Sequence, residues 1–168
     1  MLQLVLMRHA KSDWDTSYGA DHERPLAERG VRSAMIMGRL LAATEQVPDL
    51  VVTSTAKRAL QTAHLAREAG DWGCPIVEER KFYDGGTSAV LEGISKRGGI
   101  AQSVMVVGHE PTWSMLVSDL VGARVEMKTA SVAGVGLLIE EWGSLKHASG
   151  WLDYLVHPRM FFESEFDR

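Results

Sequence analysis

Short apolar segments that alternate with helical segments are the feature that most constrains how this chain can fold. Leu2–Met7, Asp49–Thr53 and Ser103–Val107 are mainly apolar, and each stops at polar or charged residues, as buried strands do. Ala56–Ala69 follows the second of these segments and has the length and composition of a helix. Because strands that alternate with helices favour parallel pairing under helical cover, the sequence predicts a three-layer α/β/α sandwich with a mostly parallel central sheet.

The remaining segments give weaker signals. A helix is predicted with Pro25 in its first turn, because apolar residues recur at steps of three and four between Ala27 and Ala42. Residues 8–24 are predicted to form a long loop and residues 158–168 a surface tail. The other predicted elements are a strand at Ile76–Glu79, helices at Ser88–Lys96 and from Pro111 to about Leu120, and strands at Val135–Trp142 and Trp151–His157 around a GSLKHASG turn.

Composition limits the classes of function that need to be considered. With 168 residues, 45% of them hydrophobic, the chain has the size expected of a single domain spanning residues 1–168. Its net charge of −4 argues against general nucleic-acid binding, which needs a broad positive field. Cys74 is the single cysteine, and the apolar N-terminal run is too short to span a membrane, so we expect a cytoplasmic protein without membrane attachment.

Three of the predicted strands end in residues that suit an anionic ligand. Arg8 and His9 follow the first strand, Ser54 and the nearby Arg58 follow the second, and His109 follows the third. In open α/β sheets, ligands bind beyond the carboxyl ends of the strands. If the three strands are parallel neighbours, these side chains converge, and the two arginines can bind the oxygens of a phosphate through paired N–H groups.

An imidazole among these cations indicates nucleophilic chemistry on phosphorus. His9 can attack a phosphoryl group if its attacking nitrogen is neutral and its other nitrogen is held by an acceptor such as a backbone carbonyl. His109 can donate a hydrogen bond to the phosphoryl oxygens as charge spreads over them. The alternative is that both are partnered histidines of the core, but arginines at the matching strand ends favour a site.

Three segments, in this order, resemble the motifs of the histidine phosphatase superfamily, the phosphoglycerate mutase-like group. They are LVLMRHAKSDW at residues 4–14, STAKRALQT at residues 54–62 and VVGHEP at residues 106–111. The RHAKS variant, the DHERPLAERG stretch and the short length are most similar to the SixA-type phosphohistidine phosphatase branch. The resemblance implies a phosphoglycerate mutase-like fold, phosphorylation of His9 during turnover, and a phosphate pocket completed by Arg8, Arg58 and His109.

The resemblance also adds candidates for substrate binding. Arg24 is similar to an arginine that lines the site in the SixA branch, Lys11 would be a cation at the pocket mouth, and Ser54 opens the second motif. The alternatives are that Lys11 is a simple surface lysine and that Arg24 merely pairs with Asp21 or Glu28.

A general acid is harder to place. Many members of the superfamily carry one after the middle of the chain, and the nearest candidate is Asp84 in KFYDGG. The two glycines that follow Asp84 fit a turn equally well. An imidazole leaving group needs less help from a proton than an alkoxide does, so an enzyme of the SixA type can act without such an acid.

The resemblance implies a metal-independent phosphatase that uses no cofactor and acts on a phosphorylated protein of the phosphorelay type. The alternatives are a small-molecule phosphomonoesterase of the same superfamily and, outside enzymes, a phosphate-binding module without turnover. Mutase activity ranks third among the enzymatic functions, because the chain looks too short for the segments that close over a mutase's substrate. No His, Asp or Glu cluster has the spacing of metal ligands, and the oligomeric state is left open by the sequence.

Overall fold

A six-stranded sheet forms the centre of the molecule. The computed structural model describes all residues from 1 to 168, and the strands lie in the order β3-β2-β4-β1-β5-β6. The strands are β1 (Leu2–Arg8), β2 (Leu50–Ser54), β3 (Ile76–Glu79), β4 (Ser103–Gly108), β5 (Val132–Leu137) and β6 (Gly150–Val156). The helices are α1 (Glu28–Ala43), α2 (Lys57–Ala69), α3 (Gly86–Arg97) and α4 (Thr112–Val121).

The sheet is mostly parallel and is covered by helices on both faces, which confirms the predicted α/β/α architecture. Only β5 runs against the other strands, and it pairs with β1 on one side and with β6 on the other. Helices α1 and α2 pack on one face and α3 and α4 on the other, with a hydrophobic core on each side. None of the helices is long and apolar enough to cross a lipid bilayer.

Strand β1 shows why the first apolar segment is continuous rather than alternating. Leu4 and Leu6 point into the core beneath α3 and α4, whereas Val5 and Met7 point into the core beneath α1 and α2. All four side chains are fully buried. A central strand with helices on both faces needs apolar residues at every position, and this pattern identifies β1 in the sequence.

The register of the sheet places three strand ends side by side. β1 pairs in parallel with β4, Arg8 opposite Gly108, and β4 pairs in parallel with β2, Val107 opposite Thr53. The backbone N–H of His9 continues the ladder and donates to the Gly108 carbonyl at 2.9 Å. The carboxyl ends of β1, β2 and β4 therefore meet at one edge of the sheet, as the sequence predicts.

The predicted strand Val135–Trp142 is wrong in its limits. β5 covers Val132–Leu137, and Trp142 begins a 3₁₀ helix that ends at His147. The Trp142 ring is buried against α3, and its indole N–H donates to the Ala101 carbonyl at 2.7 Å. The apolar character of this position thus reflects packing against α3 rather than membership of the sheet. The other predicted strands and helices, apart from α1, are confirmed to within two residues at each end.

Helix α1 begins later than predicted. Its first residue is Glu28, so Pro25 lies before the helix and not in its first turn. The Pro25 carbonyl accepts a hydrogen bond from the Asp13 backbone N–H at 2.9 Å, and Ser12 pairs with Leu26 in an isolated antiparallel bridge. The residues around Pro25 are extended because they pair with the loop that follows β1.

Residues 158–168 are not a free surface tail, in contrast to the prediction. They form two short 3₁₀ helices that pack against α1 and bring partly buried phenylalanines to the core. Arg39 donates to the Phe166 carbonyl at 2.9 Å, and Arg32 forms an ion pair with Asp167. The phenylalanines follow neither strand nor helix periodicity in this segment, so the sequence pattern did not reveal the packing.

Candidate active site

His9 lies at the carboxyl end of β1 with one ring nitrogen held and the other free. Its Nδ1 lies 2.8 Å from the Ala10 carbonyl oxygen, which can only accept, so Nδ1 carries the proton and Nε2 keeps its lone pair. Burial lowers the pKa of His9 to about 4 against the opposing effect of the Ala10 hydrogen bond, and the charges of Arg58 and Arg8 lower it further. The ring is therefore neutral at pH 7, with an unprotonated nitrogen available for attack.

His109 follows β4 and faces His9. The centroids of the two rings are 5.1 Å apart, and the His109 Nε2 lies 2.8 Å from the Ser54 Oγ at the end of β2. Burial lowers the pKa of His109 to about 3, and the neighbouring His9 and Arg58 act in the same direction. The remaining nitrogen, Nδ1, is buried without a hydrogen-bond partner.

Two buried or half-buried arginines complete the group, and each leaves its buried Nε unpaired. Arg8 donates from Nη1 to the Met127 carbonyl at 2.9 Å, and Arg58, in the first turn of α2, donates from Nη1 to the Asp21 carbonyl at 2.8 Å. The Nε atoms of both guanidinium groups are buried and have no partner. The structure thus brings together the four residues predicted to form the site, and three of them present an unpaired buried nitrogen.

Asp21 connects the arginines of the site and was not singled out by the sequence analysis as a site residue. Its carboxylate accepts from Arg58 Nη2 at 3.1 Å, from Arg24 Nη2 at 2.8 Å and from the Tyr83 hydroxyl at 2.9 Å. Partial burial would raise the pKa of Asp21, but the hydrogen bonds from Arg24 and Tyr83 and the charge of Arg58 bring it down to about 2. Asp21 is therefore ionised at neutral pH and orients Arg58 from its outer side.

Arg24 is buried beside this cluster and forms an ion pair with Asp21. This pair is the alternative role that the sequence offered for Arg24. In addition to Asp21, it donates to the Ser12 hydroxyl, and the Trp14 ring lies over its guanidinium group at 3.5 Å. Arg24 lies close enough to His9 to contribute to the lowering of its pKa. Its position at the side of the site is consistent with the prediction, although all of its contacts are to protein groups.

Two predicted site residues lie apart from the group. The Lys11 side chain is exposed and lines a cavity to which none of the four residues of this site contributes. The Asp84 carboxylate is 65% exposed and pairs with Arg80 at 3.3 Å. The turn role that the sequence allowed for Asp84 thus matches its position better than the role of a general acid.

Residues of α2 hold the loop after β1 in place. The Thr62 hydroxyl accepts from the Ala10 backbone N–H at 3.0 Å and donates to the Arg58 carbonyl at 2.7 Å. The Gln61 side chain accepts from the Leu26 backbone N–H at 2.8 Å. The sequence contained the signal for these contacts, because Gln61 and Thr62 follow Arg58 at helical spacing within the second motif.

No group of three or more His, Cys, Asp or Glu residues is arranged to hold a metal ion.

Comparisons with known proteins identify the family of the chain. Residues 4–88 match the model of the histidine phosphatase superfamily (branch 1). The chain is 41% identical over 128 residues to the uncharacterized protein Rv1276c of Mycobacterium tuberculosis, covering 76% of each chain. It is 30% identical over 169 residues to the uncharacterized chloroplastic protein At3g52155 of Arabidopsis thaliana, covering 93% of this chain and 78% of the relative.

A solved structure of a similar protein has the same fold. A protein from Nakamurella multipartitia that carries the name phosphohistidine phosphatase SixA superposes with a TM-score of 0.82 at 29% identity, over 94% of this chain and 96% of that one. The similarity therefore extends over nearly the whole sheet and its helices. Together with the matched family model, it shows that the chain belongs to branch 1 of the histidine phosphatase superfamily.

Proposed function

We propose that this protein is a phosphatase that hydrolyses phosphohistidine on a protein through a phosphohistidine intermediate at His9. The observation that carries the proposal is the set of buried, unpaired nitrogens on Arg8, Arg58 and His109 around the free Nε2 of His9. An unpaired buried donor costs about 1–3 kcal/mol, and a phosphoryl group, which offers three acceptor oxygens, would satisfy all three.

The neutral ring of His9 supplies the nucleophile. Its Nε2 attacks phosphorus in line, so that a new N–P bond forms while the bond to the leaving nitrogen breaks. The phosphorylated imidazole of the substrate, protonated on its other ring nitrogen, departs as neutral imidazole. Water then breaks the N–P bond at His9 and releases phosphate, which returns the enzyme to its starting state.

The surrounding cations stabilise the charge that spreads over the phosphoryl oxygens. Arg8 and Arg58 donate from their free Nε atoms and offset the negative charge. Because these donors are already in place, no solvent has to reorganise as the charge develops. The Ser54 hydroxyl accepts from the Ala56 backbone N–H at 3.3 Å and lies 2.8 Å from His109 Nε2, and in this proposal it donates its own proton to that nitrogen. The proton of the neutral His109 ring then lies on Nδ1, which becomes a donor toward the phosphoryl group.

The acids near the site support an imidazole as the leaving group. Asp21 has a pKa of about 2 and is therefore ionised at neutral pH, so it cannot protonate a leaving oxygen. Asp84 is exposed and pairs with Arg80 rather than with a residue of the site. Expelling an alkoxide without an acid is slow, whereas a protonated imidazole leaves as a weak base. The similarity to a protein named phosphohistidine phosphatase SixA supports phosphohistidine as the substrate.

The test compares kcat/KM for a phosphohistidine peptide, an aryl phosphate and a phosphoserine peptide. We expect the first two to be hydrolysed at least about a hundredfold faster than the third, which corresponds to roughly 2.7 kcal/mol of barrier. If phosphoserine were the best substrate, the protein would be a general phosphomonoesterase. If single-turnover experiments showed tight phosphate binding but no hydrolysis of any substrate, the protein would be a phosphate-binding module.

A further inference from the structure

A second cavity, separate from the His9 site, lies near the same edge of the sheet and has a strongly basic lining. Its volume is about 310 Å³, and four cationic side chains line it, those of Lys11, Arg29, Lys128 and Arg159. Thr129 adds a hydroxyl group to the wall. None of the nine residues that line the cavity is acidic.

The four cations are not paired with carboxylates of the protein. None of them forms an ion pair with a carboxylate, although the chain as a whole carries a net charge of −4. His157 also lines the cavity, and the pKa of its ring is lowered first by burial and then by Arg159, Lys128 and Arg29. The cavity therefore concentrates unbalanced positive charge in a small volume, which an anion would relieve.

Four separate parts of the fold hold these cations together. Lys11 follows β1, Arg29 lies in the first turn of α1, Lys128 precedes β5 and Arg159 follows β6. β5 pairs with both β1 and β6, so three of these chain segments are fixed by the sheet at its carboxyl edge. The Gly30 position of α1 lies so close to the Lys11 carbonyl that an added Cβ would approach its oxygen at 2.1 Å. The four cationic side chains are exposed to solvent, but the chain segments that carry them are held in place by the fold.

We propose that this cavity is a second anion-binding site, which takes a small molecule bearing a diphosphate or an equivalent pair of phosphate groups. Two guanidinium groups can each bind phosphate oxygens through paired N–H donors, and two ammonium groups add charge that one phosphate alone would not balance. Arg29 lies in the first turn of α1, a helix of 16 residues, so the positive end of the helix dipole lies beside the cavity. The volume is at the lower end for small-molecule sites, which suits a compact polyanion.

Calorimetric titration with inorganic pyrophosphate tests this proposal. We expect two bound equivalents in the wild type, one at His9 and one in the basic cavity, and one equivalent in Arg29→Gln/Lys128→Gln. Arg67→Gln/Lys146→Gln is the matched control, because it removes the same charge near the opposite edge of the sheet. The control should keep both equivalents, and Arg58→Gln should lose only the equivalent at His9.

Activity on an aryl phosphate separates this proposal from the proposed function. We expect the Arg29→Gln/Lys128→Gln variant to hydrolyse it within twofold of the wild type, while its affinity for pyrophosphate in the cavity falls at least tenfold. Unchanged stoichiometry in that variant, or an equal loss in the control variant, would overturn the second site and leave the phosphatase proposal untouched. A variant that binds pyrophosphate normally but loses activity only on phosphoprotein substrates would show a protein-docking surface instead, which also overturns the proposal.

Discussion

The rings of His9 and His109 lie with their centroids 5.1 Å apart, and both are neutral at pH 7. Burial is the largest cause in each case, and the arginines beside them act in the same direction. Two neutral imidazoles can perform different tasks at this distance, because each has one nitrogen committed to a neighbour and one directed elsewhere. In the mechanism that we propose, His9 uses its lone pair and His109 offers an N–H group.

Both lowered pKa values make the folded state sensitive to acid. An unfolded histidine titrates near 6.5, whereas these two titrate at about 4 and about 3 when folded. The unfolded chain therefore binds more protons below pH 6.5, and the stability that is fully present above that pH is lost as the pH falls. We expect the free energy of unfolding to fall by about 1.4 kcal/mol per pH unit for each histidine between pH 6 and pH 5.

Urea unfolding at several pH values measures this dependence. His9→Asn and His109→Asn should each reduce the slope of stability against pH in this range, because each removes one of the two titrations. His147→Asn, at an exposed histidine, is the control and should leave the slope unchanged. Equal slopes in the wild type and in both site variants would show that the two rings are not held neutral by the fold.

Replacing His9 with alanine should abolish turnover while leaving the fold in place. The side chain is buried at the end of β1 and makes one hydrogen bond, to a neighbouring carbonyl, so its loss removes the nucleophile while the pairing of β1 remains. We expect kcat on an aryl phosphate to fall at least about a thousandfold, roughly 4 kcal/mol of barrier. His64→Ala, at an exposed position of α2, is the matched control. A well-folded His9→Ala protein with near wild-type turnover would contradict the mechanism.

Ser54 is expected to act through His109. Ser54→Ala removes the hydroxyl 2.8 Å from Nε2, so the proton of the neutral ring is no longer confined to Nδ1. We expect kcat to fall about tenfold with little change in KM, since roughly 1.4 kcal/mol of transition-state stabilisation is lost. Nitrogen NMR of the imidazole gives the decisive readout. The wild type should show the Nδ1–H tautomer of His109 and the variant a mixture, and an unchanged tautomer would contradict the positioning role.

Two aspartates with similar exposure should respond differently to the same substitution. Asp21→Asn removes the negative charge that holds Arg58 and Arg24, so we expect KM for an aryl phosphate to rise about threefold to tenfold. Asp84→Asn removes only an exposed pair with Arg80 and should change kcat/KM less than twofold. Steady-state kinetics on both variants tests the pair. Loss of turnover in Asp84→Asn would instead identify Asp84 as the general acid.

Activity should persist in a chelator, because the arginines of the site supply the positive charge that a metal would bring. We expect turnover in excess EDTA to match that of the untreated enzyme, and vanadate to inhibit by taking the place of the phosphoryl group. The experiment requires prior dialysis against chelator, followed by the addition of single divalent ions. A reversible loss of activity that one specific ion restores would contradict this prediction.

The predictable part of the site is the part that is anchored to regular structure. Arg8 ends an apolar strand, His9 and His109 directly follow one, and Arg58 lies in the first turn of a helix, so the strand-end rule brings all four to one edge of the sheet. The motif resemblance adds the order of these residues along the chain. The distances between these residues in space depend on which strands are neighbours in the sheet. The sequence pattern alone does not show that order.

The parts that were missed belong to irregular segments. Asp21 and Tyr83 lie in or next to short 3₁₀ helices, and only tertiary packing brings them to Arg58. Lys11 is close to His9 in sequence, but its carbonyl accepts from the Ala27 backbone N–H, and the side chain leaves toward the other cavity. Proximity along a loop is a weak guide to direction, since neither strand nor helix periodicity fixes where such a side chain points.

The pairing of Arg8 with Gly108 also bears on the temperature at which the enzyme loses its activity. The distance between the two histidines is a property of the central ladder, so it survives any local opening that leaves β1 and β4 paired. Catalytic activity should therefore be lost at the temperature at which the sheet melts cooperatively. The basic cavity depends in addition on residues 157–159 after β6, at the margin of the sheet, and its capacity to hold an anion should be lost at a lower temperature.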